Sequence, residues 1–558
     1  MNKRFLILIS VIIGAFTFSS CSKKTNTEGR YIPQKAAFVL HINGSSINQK
    51  LPWDEVKNTG MVKRLMEDSS LPEKARAILI NPESGGVNIK NDAAVFYLKD
   101  SLGGYIGIAG KLSNADAFDK LARNESKGDF EFSENSGVQS GKGKGMGLAW
   151  NKDRFLFVVG VPNTTFPDKF NNMQLSSEDS TGKVIFSATD NRNYGQLAFQ
   201  VFNIKESESL GDNEKFSELV ADKADLHFWV NSEEIYNMQS AEMPAIGPLN
   251  MLNFTKFTKD ARSTASVNFD NGKISVDFRA YMNKEVADIF KKNMVNHTDA
   301  EMIKRISPEN LAMIMQFSIK PQIIKEYLKL LGADGFANMG TGMLGFSIDD
   351  LIDANKGDYL LAVSDIKVDS AKPKFDYLFS TSIASKTAFD KVMTGVSRMM
   401  KMYFNSSDSS STSANAPLSY NKSEKYFALG SSQPLVDGYL TGSKTYSSPV
   451  YDKITTGPGG GYINFAYIMN AVTPLVNDSS TQEMLAASKL IWKDMISYTE
   501  NFSGNSVHGH MDINLVNNDS NSLKQLNHYF DAISTILINK KKKEDITYNM
   551  LREAEKNN

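Results

Sequence analysis

From Ser266 to Met282 the chain alternates apolar and polar residues on either side of Asn271-Gly272 (SVNFDNGKISVDFRAYM). Alternation sorts the two classes onto opposite faces of a strand, and Asn-Gly suits a tight turn, so a hairpin is predicted. NSVHGHMDINLV, near the C-terminus, carries the same pattern. YIGIAGKL from Tyr105 and YLFSTSIA from Tyr377 read as strands, each leading through a polar step into a helix that contains the tetrapeptide AFDK. On those helices Ala117, Phe118 and Leu121, and again Ala388, Phe389 and Val392, fall on one face and are expected in a core. Ser113 and Ser385 stand where an N-cap is wanted, and Asp119 reads as a solvated first-turn acid.

A shorter pattern recurs where an apolar run ends at Asn43, Asn231 or Asn464 with an isoleucine four residues on. The expectation is a strand running into a helix, with the asparagine capping the free N–H groups of the first turn. In a fourth instance Ser318 replaces asparagine, Pro321 suits a first turn, and Gly332 can end the helix IIKEYLKLL.

These pieces recur in order. IPQKAAFVLHI from Ile32 parallels ISPENLAMIMQF from Ile306, and GVNI at Gly86 parallels GFSI at Gly345. NKDRFLFVVG at Asn151 parallels NKSEKYFALG at Asn421, and HFWVNSEEI at His227 parallels GYINFAYI at Gly461. Ordered recurrence predicts an internal duplication, with repeats at 31–300 and 301–545 and a tail at 546–558. Strand-rich blocks without regular βαβ alternation predict α+β halves, each an antiparallel sheet with helices packed on one face. Low-complexity SSDSSSTSANAP (406–417) reads as a surface loop.

The N-terminus changes the picture. Lys3 and Arg4 precede the apolar run Phe5 to Phe16, which is shorter than the ~20 residues a spanning helix needs and matches a signal-peptide core. It leads to FSSC, where Cys21 is the sole cysteine. This resembles the bacterial lipobox, although Phe18 replaces the usual leucine. The resemblance implies a signal peptide at 1–20, lipidation of Cys21, and a polar tether at 21–30. With Cys21 acylated no thiol remains for disulfides, catalysis or metal. Lys23 and Lys24 stand where surface-exported lipoproteins carry acidic residues, so the expected location is the periplasmic face of the outer membrane.

Removing residues 1–20 leaves 60 basic and 63 acidic residues, a formal charge of −3. Such balance, without a basic block, argues against nucleic acid. GKGKGMG (141–147) and GPGGG (457–461) lack the phosphate-loop pattern and precede strands, so hairpin turns are expected. The AEMPAIGPLNMLNF and LGADGFANMGTGMLGF stretches, with Met251 and Met343, are candidate linings of a ligand groove, core packing being the alternative. His508, His510 and Asp512 would share one strand face and could bind zinc, but a half-exposed strand looks the same, and no metal or other cofactor is expected. The lysine run at Lys540 is read as ending an apolar helix, Leu526 to Ile538, at its negative dipole end. No nucleophile elbow, zinc-protease or kinase pattern occurs, so no catalytic residue is named.

The lipobox, the YIP-x-x-A-x-x-V-x-x-x-N opening (Tyr31 to Asn43), the Gly86 element and the paired layout resemble the domain-of-unknown-function 4836 family of Gram-negative bacterial lipoproteins. The resemblance spans nearly the whole mature chain and implies no catalytic residues. The function expected is a non-catalytic binding or assembly lipoprotein, using the junction of its halves to hold an envelope protein, peptide, lipid or glycan. The alternative is an envelope hydrolase or glycan-processing enzyme whose site is not visible in motifs.

Overall fold

The computed structural model describes residues 26–60, 62–63, 81–125, 130–161, 192–240, 252–369, 372–404 and 419–556. Cys21, Met251 and the serine-rich stretch 406–417 lie outside the described residues. The fold is α+β, built on antiparallel strands, and compactness divides the chain into two units.

The first unit takes in the residues up to Gly44 and Pro82–Trp229. Its strands are β1 (Phe38–Ile42), β2 (Ala93–Asp100), β3 (Gly103–Lys111), β4 (Glu131–Asn135), β5 (Val138–Gly143), β6 (Met146–Trp150) and β7 (Arg154–Val161), with β8 (Leu226–Asn231) at its end. Spatial order is β8-β1-β2-β3-β7-β6-β5-β4, antiparallel from β1 to β4. GKGKGMG forms the β5–β6 hairpin as expected, with Gly145 at φ +71° where a left-handed residue is needed. Burial alternates along β2, because every second side chain enters the core of Ile32, Val39, Phe96, Leu156, Tyr194, Phe216 and Trp229.

The second unit takes in Ser45–Asn81 and Val230–Asn558. Its strands are β9 (Arg262–Asp270), β10 (Lys273–Tyr281), β11 (Leu311–Ser318), β12 (Asn355–Asp369), β13 (Lys372–Ile383), β14 (Ser419–Lys422), β15 (Tyr426–Gly430), β16 (Gly459–Ile463), β17 (Trp492–Thr499) and β18 (Ser506–Leu515). They run β9-β10-β18-β17-β16-β11-β12-β13-β15-β14, every neighbour antiparallel. Compact unit and sequence half are different quantities here. The β9–β10 hairpin, in the first sequence half, adds to this sheet through β18.

The AFDK helices are α1 (Ala115–Glu125) and α2 (Lys386–Phe404). Phe118 and Phe389 both occupy buried positions, beside Leu148 and Trp150 in one case and Phe346 and Phe427 in the other. Ser385 caps α2, its hydroxyl accepting from the Ala388 N–H at 3.3 Å. In α1 the cap is Asn114 rather than Ser113, because the helix starts at Ala115 and the Asn114 carboxamide oxygen accepts from Ala117 at 2.9 Å. Asp119 is also more than a solvated acid, since it pairs with Arg123 one turn on at 2.9 Å.

Asn231 and Asn464 accept from the N–H three residues on, at 3.2 and 3.0 Å, as caps do. The Asn43 amide donates to the Ala224 carbonyl at 3.2 Å, just before the helix Gly44–Lys50. Ser318 does not cap. Its hydroxyl donates to Asp358 at 2.5 Å, and helix α3 (Ile323–Leu331) starts five residues later, with Pro321 before it and Gly332 ending it at φ +71°. The last helix, α4 (Ser522–Lys556), runs straight through Lys540–Lys543 and the expected tail boundary at 545/546. No glycine or proline interrupts it and lysine is a good helix former, so the lysines sit mid-helix rather than at its negative end.

Candidate functional site

GPGGG is not a turn as a whole, because Gly459, Gly460 and Gly461 lie within β16, hydrogen-bonded between β11 and β17. Met315 faces Gly461 and Phe317 faces Gly459 across the β11 ladder. With no side chains on this stretch of β16, the sheet surface has a trough there. The trough is a groove of 410 Å³, walled by Phe278, Phe290, Met294, Met315, Phe317 and Val507. Met315 and Phe317 are each 44% exposed, unusual for large apolar side chains on an otherwise packed sheet. Phe278, Phe290 and Met294 come from the first sequence half and the remaining walls from the second. Mostly apolar walls with a few hydroxyls (Ser318, Ser497, Thr499) can bury a hydrocarbon surface and orient one polar end. Met343 does not line this groove. It projects, 79% exposed, from the helix Asp334–Leu344 together with Phe336 and Met339.

On β18 the histidines alternate with Val507, Gly509 and Met511, so the imidazoles lie on the sheet face opposite Val507. His508 and His510 do share a face, with ring centroids 4.5 Å apart. Asp512 is not their partner, because Lys273 and Lys453 hold its carboxylate at 3.3 Å each. The carboxylates that reach the imidazoles are Asp277, directly opposite His510 in the β10–β18 register, and Glu500, one residue beyond β17. Glu500 accepts from His508 Nδ1 and from His510 Nε2, both at 2.9 Å. Asp277 Oδ1 contacts His510 Nδ1 and stands 3.9 Å from His508 Nε2. The two histidines hold the Glu500 carboxyl below its usual range. Tyr498 stacks on His510 at 5.1 Å between centroids.

Sequence reading missed Asp277 and Glu500. Asp277 is distant in sequence and enters only through strand pairing. Glu500 was accessible in principle, because a β17–β18 hairpin pairs residue 500 with 508, as the Glu500 N–H bond to the His508 carbonyl shows at 2.8 Å.

A second histidine pair lies in the first unit. His41 on β1 and His227 on β8 are buried, with Nδ1 atoms 3.0 Å apart. Burial, and then the neighbouring His41, push His227 down to about 4. His41 Nε2 stands 3.7 Å from Asp92, whose carboxyl is held low first by its hydrogen bond to His41. Glu28 completes a group whose ligand atoms lie within 4.8 Å of one another. Here positive charge is already supplied: Lys111 is 3.6 Å from Glu28, and Arg154 lines the same 10 Å³ void. That arrangement suits an internal polar network better than a cation site.

Among the described residues no helix is long and apolar enough to cross a membrane. No family model and no curated protein matches the chain. Among solved structures, crystal form IV of TP0453 aligns with 50% of this chain and 91% of its own at 8% identity, with a TM-score of 0.26. Crystal form III of TP0453 gives the same coverages at 9% identity and a TM-score of 0.24. Likeness at this level leaves function to be argued from the chain itself.

Proposed function

We propose that this protein is a non-catalytic binding lipoprotein of the cell envelope, tethered through Cys21 and taking an apolar, hydrocarbon-like ligand in the groove floored by β16. The observation that carries the reading is the glycine run of β16 between exposed Met315 and Phe317. Glycine in a strand interior weakens the strand, and here it opens the surface where apolar walls converge. Backbone groups around the groove are already paired within the sheet, so strand addition by a partner is unavailable there and side-chain burial has to supply the affinity.

The duplication at 31–300 and 301–545 belongs to the same proposal. Supporting it, the order β8-β1-β2-β3-β7-β6 matches β16-β11-β12-β13-β15-β14, strand for strand in chain position. Gly86 and Gly345 both adopt positive φ, at +79° and +88°, and the residue after each packs beside the equivalent phenylalanine. Under this reading the groove gathers side chains from both copies, and membership of the domain-of-unknown-function 4836 family rests on the motifs quoted above.

The test is to close the groove. Gly461→Leu places a side chain between Met315 and Ser497, with its first carbon 3.3 Å from the Ile314 carbonyl and otherwise at ordinary contact distance. A fluorescent long-chain fatty acid should bind the purified protein and lose at least tenfold in affinity in this variant. Equal binding by a folded variant would remove the groove from the site. Turnover of an envelope glycan or peptide, abolished by changing one carboxylate, would overturn the binding reading.

A further inference from the structure

On the other face of the sheet two imidazoles and two carboxylates converge. Each imidazole nitrogen of His508 and His510 faces a carboxylate oxygen: Nδ1 and Nε2 respectively face Glu500, and Nε2 and Nδ1 face Asp277. A neutral imidazole carries one N–H and one lone pair. With Glu500 taking the N–H of His508 Nδ1 and of His510 Nε2, the other nitrogen of each ring is the one turned toward Asp277, and in that tautomer it offers a lone pair there as a metal donor.

The surroundings favour an ion from solution. Among the described residues no lysine or arginine pairs with Asp277 or Glu500. Lys273 and Lys453 are occupied by Asp512. Arg279 stands opposite His508 in register, but its guanidinium lies 3.5 Å from the Tyr281 hydroxyl, further along β10 from Asp277. The two carboxylates concentrate negative charge there, which a divalent ion can offset. One ligand atom each from Asp277, His508 and His510 lie within 4.8 Å of one another. Donors on a tetrahedral zinc with ~2.0–2.1 Å bonds stand about 3.3–3.4 Å apart, so modest side-chain rotation brings the three into range. All three are partly exposed, leaving an entry path and a fourth position for water.

We propose that Asp277, His508 and His510 hold a divalent transition-metal ion, zinc by ligand type, and that Glu500 orients both imidazoles by accepting their other N–H groups. Two imidazoles and a carboxylate match the ligand softness of zinc. A carboxylate behind the metal-binding imidazoles is the usual outer partner, fixing tautomer and ring orientation. The site is independent of the apolar groove, since His508 and His510 alternate with Val507 and Gly509.

The experiment uses the full-length protein without a histidine tag, titrated with zinc against a chromogenic chelator. One zinc per chain is expected. Asp277→Asn and His510→Gln should each weaken binding at least 100-fold, and Glu500→Gln by about 10–100-fold. Asp512→Asn should leave it unchanged. Undiminished binding in a His508→Gln/His510→Gln double variant, or no stoichiometric binding at all, overturns the proposal. Should the variants not fold, diethyl pyrocarbonate labelling of the unaltered protein decides: zinc should protect His508 and His510, and equal labelling with and without zinc refutes the site.

Discussion

Phe118 and Phe389 are 7% and 6% exposed, each four residues after its helix cap and each packed on aromatic rings from neighbouring strands. Their burial followed from helical spacing, whereas the cap beside Phe118 was misplaced by one residue, the usual error where two polar residues precede a helix. Truncating either phenylalanine to alanine should cost about 3–5 kcal/mol, read as a fall in denaturation midpoint. A negligible change at both would remove them from the core. His227 carries a separate expectation. Its folded pKa of about 4 lies below the unfolded value near 6.5, so the unfolded chain binds the extra proton between those limits. Stability should therefore be complete above about pH 6.5 and decline as pH falls toward 4, by up to about 3 kcal/mol. Unfolding measured across that range should show a shallower slope in His227→Gln, and an identical slope would contradict the buried neutral imidazole.

At the scale of elements, the hairpin around Asn271-Gly272 was fully legible, because alternation and turn chemistry agree; Gly272 adopts φ +69° as the turn requires. The strand β16 was legible only in part: its end at Tyr462-Ile463, running into the helix after Asn464, was expected, but its glycines were read as a turn. A glycine run carries neither alternation nor propensity, and it became a strand only because β11 and β17 pair with it on both sides. That origin makes a prediction. Gly461→Leu, besides closing the groove, removes the entropic cost of a strand glycine and should hold or raise the thermal midpoint, provided Ile314 yields slightly. A marked loss of stability would mean that close packing, rather than an open surface, selected glycine there. The last helix makes a different point. Lysines read as a terminus proved internal, because a charge run by itself marks solvent exposure and not a helix end.

For the whole molecule, the proposed anchor is a lipid on Cys21, and the described helices offer no alternative span. Replacing Cys21 with Ser should abolish lipid labelling and shift the protein out of the outer-membrane fraction, or leave an uncleaved precursor. Continued fractionation with the outer membrane, without label, would show that the globular part binds membrane itself. The repeat reading belongs to this scale too. Under it β10 and β18 would be equivalent strands of the two copies, and they pair with each other in the second unit's sheet. A zinc site formed by Asp277 of one copy and the histidines of the other would then lie at the joint between copies.

Local order was determined by sequence alone. Alternation, cap residues and recurring motifs carried the α+β class, the strands flanking AFDK, the caps at Asn231 and Asn464 and the shared face of His508 and His510. These depend on neighbours within a few residues, where spacing maps directly onto geometry. The candidate site was decided by the tertiary structure. Asp277 replaced Asp512 beside the histidines because strand pairing brings residues more than two hundred positions apart into register, while two lysines claim Asp512. Met315 and Phe317 replaced Met343 at the apolar groove for the same reason, since a groove is made by what neighbouring strands lack as much as by what one segment carries. Spacing along a chain encodes the face of an element, and only packing decides what that face meets.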